Sequence, residues 1–192
     1  MRLFAALDPP AAARECLAAM LPRDDRLRFV PQDQWHITLA FYGEVPASVL
    51  DGLSGHLAHA AGCTPPLRLS LAAAGTFPSR ASRARVLWCG LSGELAPLAL
   101  MAERVAMAGR HAGIVLEERP FRAHLTLARC RRGSVDLRDT VATLSRFASP
   151  AWTVERLLLV RSHLGALRRH EELCSWPLGT ADAATATRVP TT

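Results

Sequence analysis

The sequence predicts an α+β fold built on antiparallel strands, and three observations carry that reading. Strand-like and helix-like segments are interspersed along the chain, yet several neighbouring strands are joined by connections too short for a parallel crossover. A strand carrying His-x-Thr, flanked by helices, occurs once in each half, with the two histidines 88 residues apart. That repetition reads as an internal duplication. With 192 residues and 49% hydrophobic content, the chain can bury a core as one domain or two small lobes, and this composition excludes a disordered protein.

The elements follow in order. Residues 2–7 read as a short buried strand, and Asp8-Pro9-Pro10 as a strand-to-helix turn with Asp8 as N-cap, ahead of a helix over 11–21. Residues 22–31 are charged and punctuated by proline. Residues 35–42 alternate as a strand does, and Gly43 ends them. A second helix is expected over 46–61, a strand over 67–71 and a loop over 75–83. An apolar strand over 85–91, a helix over 95–111 and an alternating strand over 121–129 come next. A helix over 136–147, one long strand over 152–162 and a closing strand over 173–178 complete the folded part. One domain of two intertwined lobes over residues 1–179 is expected, with a disordered tail, rich in Ala and Thr, over 180–192.

The formal charge is +6 and, because lysine is absent, all 23 basic residues are arginine. Codon preference accounts for such a bias, and so does recognition of phosphate by planar guanidinium forks; the two are compatible. The five cysteines show no Cys-x-x-C spacing and read as reduced thiols. The N-terminus has no signal-peptide pattern, and no apolar run has the length to span a bilayer. A soluble, cytoplasmic and monomeric protein is expected.

The chemistry sits in the repeated strands, Trp35-His36-Ile37-Thr38-Leu39 and Ala123-His124-Leu125-Thr126-Leu127. Side chains alternate along a strand, so His36 and Thr38 share one face while Ile37 and Leu39 share the other, and the second copy repeats this. Seven His and twelve Thr predict roughly 0.4 such triplets by chance, and fewer with the apolar positions imposed. Two copies therefore point to function rather than to polar residues on a solvated face. Imidazoles titrate near 6.5, so one can serve as general base and the other as general acid near neutral pH. Threonine hydroxyls can donate to the non-bridging oxygens of a phosphorus centre as charge builds on them. Neither strand has an Asp, Glu or Cys beside its His to complete a metal site, so no metal and no cofactor is expected.

These motifs resemble those of the 2H phosphoesterase superfamily, in particular its bacterial and archaeal RNA 2′,3′-cyclic phosphodiesterase branch, the ThpR/LigT or 2′-5′ RNA ligase proteins. The resemblance extends over Arg2-Leu3-Phe4, Gly43-Glu44-Val45, Phe77-Pro78, Arg85-Val86-Leu87-Trp88, Arg119-Pro120-Phe121-Arg122, Ala128-Arg129 and Trp176-Pro177-Leu178. Tyr42 and Ala123 depart from the pattern. The resemblance implies a bilobal, pseudo-symmetric fold in which two antiparallel sheets line a central cleft with helices outside. It implies His36 as proton donor to the leaving oxygen, His124 as proton acceptor from water, and Thr38 and Thr126 as phosphate holders. By the same similarity Arg129 reaches the substrate, although strict alternation from His124 would turn it to the other face; a bulge or the strand's end would restore it. Phe4 and Phe77 are read as candidates for stacking on a base. The expected substrates are RNA or nucleotides with 2′,3′-cyclic phosphate ends, opened to 2′-phosphomonoesters. The alternatives are 2′-5′ ligation as the reverse reaction, and non-catalytic binding of RNA ends.

Overall fold

The computed structural model describes residues 1–117, 119–163, 169–180 and 187–188. Two four-stranded antiparallel arrays form its frame. The first is β9 (Arg169–Pro177), β8 (Arg156–His163), β1 (Arg2–Leu7) and β3 (Ile37–Glu44), in that spatial order; the second is β6 (His124–Cys130), β5 (Val86–Gly93), β4 (Leu67–Phe77) and β7 (Trp152–Val154). Among the described residues their strands are paired at one ladder position, Ile37 with Leu125, which links β3 to β6. Beyond that pair the second edge of β6 is taken by β2 (Leu27–Phe29), whose Leu27, Arg28 and Phe29 lie across from Cys130, Arg129 and Ala128. The chain thus follows β6 along β2, leaves it over residues 31–36, and returns at Ile37.

The apolar run of β1 is explained by burial on both faces. Leu3, Ala5 and Leu7 join the main core, while Phe4 and Ala6 form a small separate cluster with Leu158 and Val160 on the other face of the sheet. Helices α1 (Ala11–Ala18), α2 (Leu50–Gly62), α3 (Leu95–His111) and α4 (Arg138–Leu144) cover the main core: α2 lies on β8 and β9, α3 on β3 and β4, and α1 and α4 on β4. Tyr42 belongs to this layer. It is buried, and its hydroxyl donates to Val105 O at 2.9 Å, so this departure from the family pattern is absorbed by packing against α3.

Several sequence expectations need correction. Asp8 is not the N-cap of α1; Pro10 occupies that position with no side-chain cap, and Asp8 pairs with Arg14 at 2.9 Å. The expected loop over 75–83 begins as strand, because β4 runs to Phe77. Gly75 stands across from Trp88, whose indole lies over it so closely that a Cβ at Gly75 would come within 2.2 Å of the ring. The glycine expected to open a loop is the bed for a tryptophan. The expected strand over 152–162 is broken at Glu155, so that β7 pairs with β4 of one array and β8 with β1 of the other. The charged stretch over 22–31 contains β2. The second helix starts as a 3₁₀ turn at Ala47–Val49 before α2, and α4 is shorter than its expected range. Of the C-terminal tail, Thr187–Arg188 form β10 on β9; residues 181–186 and 189–192 lie outside the described residues.

Candidate active site

The Ile37–Leu125 pair sets the geometry of everything around it. Antiparallel pairing continued one residue either way places His36 across from Thr126 and Thr38 across from His124. The two triplets are therefore related by an approximate two-fold axis through that pair, with both histidines and both threonines on the face opposite the buried Ile37 and Leu125.

The histidines are held alike. Nδ1 of His36 lies 2.7 Å from Gln34 O and Nδ1 of His124 lies 2.7 Å from Arg122 O, the carbonyl two residues earlier in each case. A carbonyl only accepts, so each Nδ1 carries the hydrogen and each Nε2 is the nitrogen that takes or gives a proton. The rings are also wedged by aromatic neighbours. His36 packs on Phe4 at 4.6 Å between centroids and meets His170 edge-on at 4.9 Å, while Phe77 meets His124 edge-on at 5.1 Å with Trp88 at 6.2 Å. Among the described residues neither threonine hydroxyl has a hydrogen-bond partner in the protein, which leaves both available to a ligand.

Electrostatics favours the neutral rings. Burial pushes His36 down to about 4, against the Gln34 carbonyl, and the nearby His170 and His124 push the same way. His124 is lowered as well, first by burial and then by the charges of Arg129 and Arg122. An anion between the rings reverses this pressure by favouring the imidazolium forms.

Arg129 lies on the histidine face. Leu87 pairs with Ala128 but Trp88 with Thr126, so Leu127 is an extra residue in β6. Leu127 and Ala128 are both buried, and the alternation restarts with Arg129 exposed. The first array repeats the device: Leu39 is the extra residue, Leu39 and Ala40 are both buried, and Phe41 emerges 46% exposed. Phe41 and Arg129 are thus equivalent positions, five residues after each histidine.

The two aromatic candidates have different surroundings. Phe4 is 2% exposed and backs His36, so little of its ring is open to a base. Phe77 is half-buried against His124, with Arg122 over its ring. Two site residues were missed by sequence reasoning. Phe41 stacks on Phe4 and carries the Arg2 guanidinium 4.8 Å above its ring, and only a bulge invisible in the alternation brings it there. His170 reaches His36 through the pairing of β8 with β9, and it lacks the repeated context that marked the other two histidines. Beside His36 lies a cavity of about 140 Å³ rimmed by Asp8, Asp33, Glu172 and His170.

Among the described residues no group of three or more His, Cys, Asp or Glu side chains is arranged to hold a metal ion, and the five cysteines form no disulfide with one another. No helix of the described chain is long and apolar enough to cross a membrane.

Comparison with known proteins places this geometry. The sequence model described as LigT like Phosphoesterase matches residues 7–88 and 91–168, so it takes in both His-x-Thr strands. The chain belongs to that family. An RNA 2′,3′-cyclic phosphodiesterase of Geobacillus stearothermophilus is 32% identical over 158 residues, 82% of this chain and 50% of that protein; the chain thus spans half the length of this relative. The enzyme of the same name from Archaeoglobus fulgidus is 31% identical over 151 residues, 76% of this chain and 81% of that protein. The crystal structure of Escherichia coli LigT complexed with 3′-AMP superposes with a TM-score of 0.73 at 30% identity, covering 92% of this chain and 97% of that one. The LigT-like likeness therefore extends over both arrays.

Proposed function

We propose that this LigT-like protein hydrolyses 2′,3′-cyclic phosphate ends of RNA or nucleotides to 2′-phosphomonoesters, with His36 and His124 as its proton-transfer pair. The observation that carries the reading is the matched tethering of the two rings, which aims two Nε2 atoms from opposite sides of one two-fold arrangement. Opening a cyclic phosphodiester requires a proton taken from water on one side of phosphorus and a proton given to the leaving oxygen on the other. One neutral and one protonated imidazole meet that requirement. Thr38 and Thr126, each across from the other strand's histidine, donate to the non-bridging oxygens, and Arg129 adds a cation on the same face. The names of the relatives from Geobacillus stearothermophilus and Archaeoglobus fulgidus, and the nucleotide in the Escherichia coli structure, support this substrate class.

In this mechanism His124 accepts the proton of the attacking water and His36 donates to the 3′ oxygen. A second assignment has one observation in its favour: burial holds His36 neutral down to about 4, which suits a proton acceptor. A substrate with an activated leaving group separates the two. It needs little protonation, so it should rescue loss of the donor and leave loss of the acceptor inactive. Rescue of His36→Ala supports the first assignment; rescue of His124→Ala alone reverses the roles. The 2′-5′ ligation reaction is the microscopic reverse at the same site, with water driving hydrolysis.

A further inference from the structure

Among the described residues β2 has no counterpart in the first array, and it brings to the histidine face one side chain that none of the roles above uses. Arg28 lies directly across from Arg129 in the antiparallel ladder, so the two side chains leave the same face of the sheet, and both are exposed. The bulge at Leu127 has already put Arg129 on the face of His124 and Thr126. Arg28 therefore stands on that face too, one strand spacing of about 4.8 Å from Arg129 across the ladder and on the side of β6 that β3 occupies farther along. Leu27, its neighbour along β2, is buried on the other side, which fixes the orientation.

Like charges directly across a ladder repel and cost stability. Two other arginines of this surface are neutralised locally: the Arg26 guanidinium donates to Asp24 through two hydrogen bonds, and the Arg138 guanidinium donates to Asp136 through three. Among the described residues no carboxylate lies within ion-pair distance of Arg28. A basic side chain held next to a like charge, without a carboxylate, on the face of a phosphate site, is the arrangement that a second phosphate relieves.

We propose that Arg28, together with Arg129, binds the phosphodiester that precedes the terminal nucleotide, so that the preferred substrate is an RNA strand ending in a 2′,3′-cyclic phosphate rather than a mononucleotide. This rests on the cyclic phosphodiesterase reading and extends it along the strand. Arg129 serves the terminal phosphate and the adjoining one, and Arg28 serves only the second.

The test compares a cyclic mononucleotide with a tetranucleotide that ends in the same 2′,3′-cyclic nucleotide, using wild-type protein, Arg28→Ala and Arg28→Lys. For Arg28→Ala, kcat/KM on the tetranucleotide should fall at least tenfold more than on the mononucleotide, mostly through KM. Arg28→Lys, which keeps the charge, should recover part of the loss. The dependence of log kcat/KM on log salt for the tetranucleotide should become shallower by about 0.7 when Arg28 is removed. Equal changes on the two substrates, or none, would overturn the proposal. Binding of a fluorescent tetranucleotide carrying a terminal 2′-phosphate gives the same comparison without turnover. If the wild type hydrolyses neither substrate, the cyclic phosphodiesterase reading fails. The binding arm still decides the role of Arg28: a tenfold weaker Kd for Arg28→Ala supports it, and an unchanged Kd overturns it.

Discussion

Ile37 and Leu125, the middle residues of the two His-x-Thr triplets, form the ladder pair that joins the two four-stranded arrays, and both are fully buried. The seam of the sheet and the centre of the candidate site are therefore the same place. A side chain on one face of that pair holds the arrays together, and the groups on the other face are oriented by it.

Shortening either residue should consequently damage stability and chemistry together. Ile37→Ala or Leu125→Ala is expected to cost about 2–5 kcal/mol, and Ile37→Val about 1 kcal/mol, measured by urea unfolding. Turnover should fall in the alanine variants even at temperatures where they remain folded. Full kcat in a folded Leu125→Ala protein would mean that the seam does not align the histidines.

Removing one hydroxyl should act on the transition state. Thr38→Val and Thr126→Val are each expected to lower kcat by on the order of 10², with substrate binding weakened only modestly, as for loss of one oxyanion donor. Single-turnover kinetics and ligand titration separate the two effects. Wild-type kcat in both variants would make the threonines structural.

Burial of His36 has a consequence for stability against pH. Its value is held below that of the unfolded chain, near 6.5, so the unfolded state binds more protons between about 6.5 and about 4. Above that window the group contributes no pH dependence. As pH falls through it, stability is progressively lost. Urea unfolding at a series of pH values should show wild type weakening relative to His36→Gln across this range, and parallel curves would show that His36 titrates normally.

Gly75→Ala tests the support behind His124. The added methyl runs into the Trp88 indole, which lies 6.2 Å from the His124 ring, and overpacking of this kind costs roughly 1–3 kcal/mol. The expected outcome is a shifted tryptophan emission and reduced kcat, with less change in KM. An unchanged spectrum and rate would show that Trp88 does not position His124.

The parts of this fold that repeat or run regularly were legible in the sequence. The His-x-Thr copies stood out because alternation and duplication reinforced each other, and the helix expected over 95–111 matches α3, Leu95–His111, end to end. What hid were features decided by a partner strand. β2 is three residues long and charged, and only the open edge of β6 makes it a strand. Gly75 reads as the start of a loop until Trp88 is seen lying on it. Arg129 lies at the wrong parity from His124, and Phe41 at the wrong parity from His36, until one bulge in each strand turns them back. The Asp8 cap was lost to an ion pair with Arg14, a competition that local sequence does not reveal.

Opening of a cyclic phosphate by two tethered imidazoles can be followed in one reaction. Purified protein is incubated with a 2′,3′-cyclic nucleotide in the presence of excess EDTA, and the products are followed by phosphorus NMR for the wild type, His36→Ala and His124→Ala. The expected result is a 2′-phosphomonoester from the wild type with the chelator present, and a loss of several orders of magnitude in each variant. No hydrolysis by folded wild-type protein, a 3′-phosphate product, dependence on added metal, or undiminished turnover in either histidine variant would contradict it.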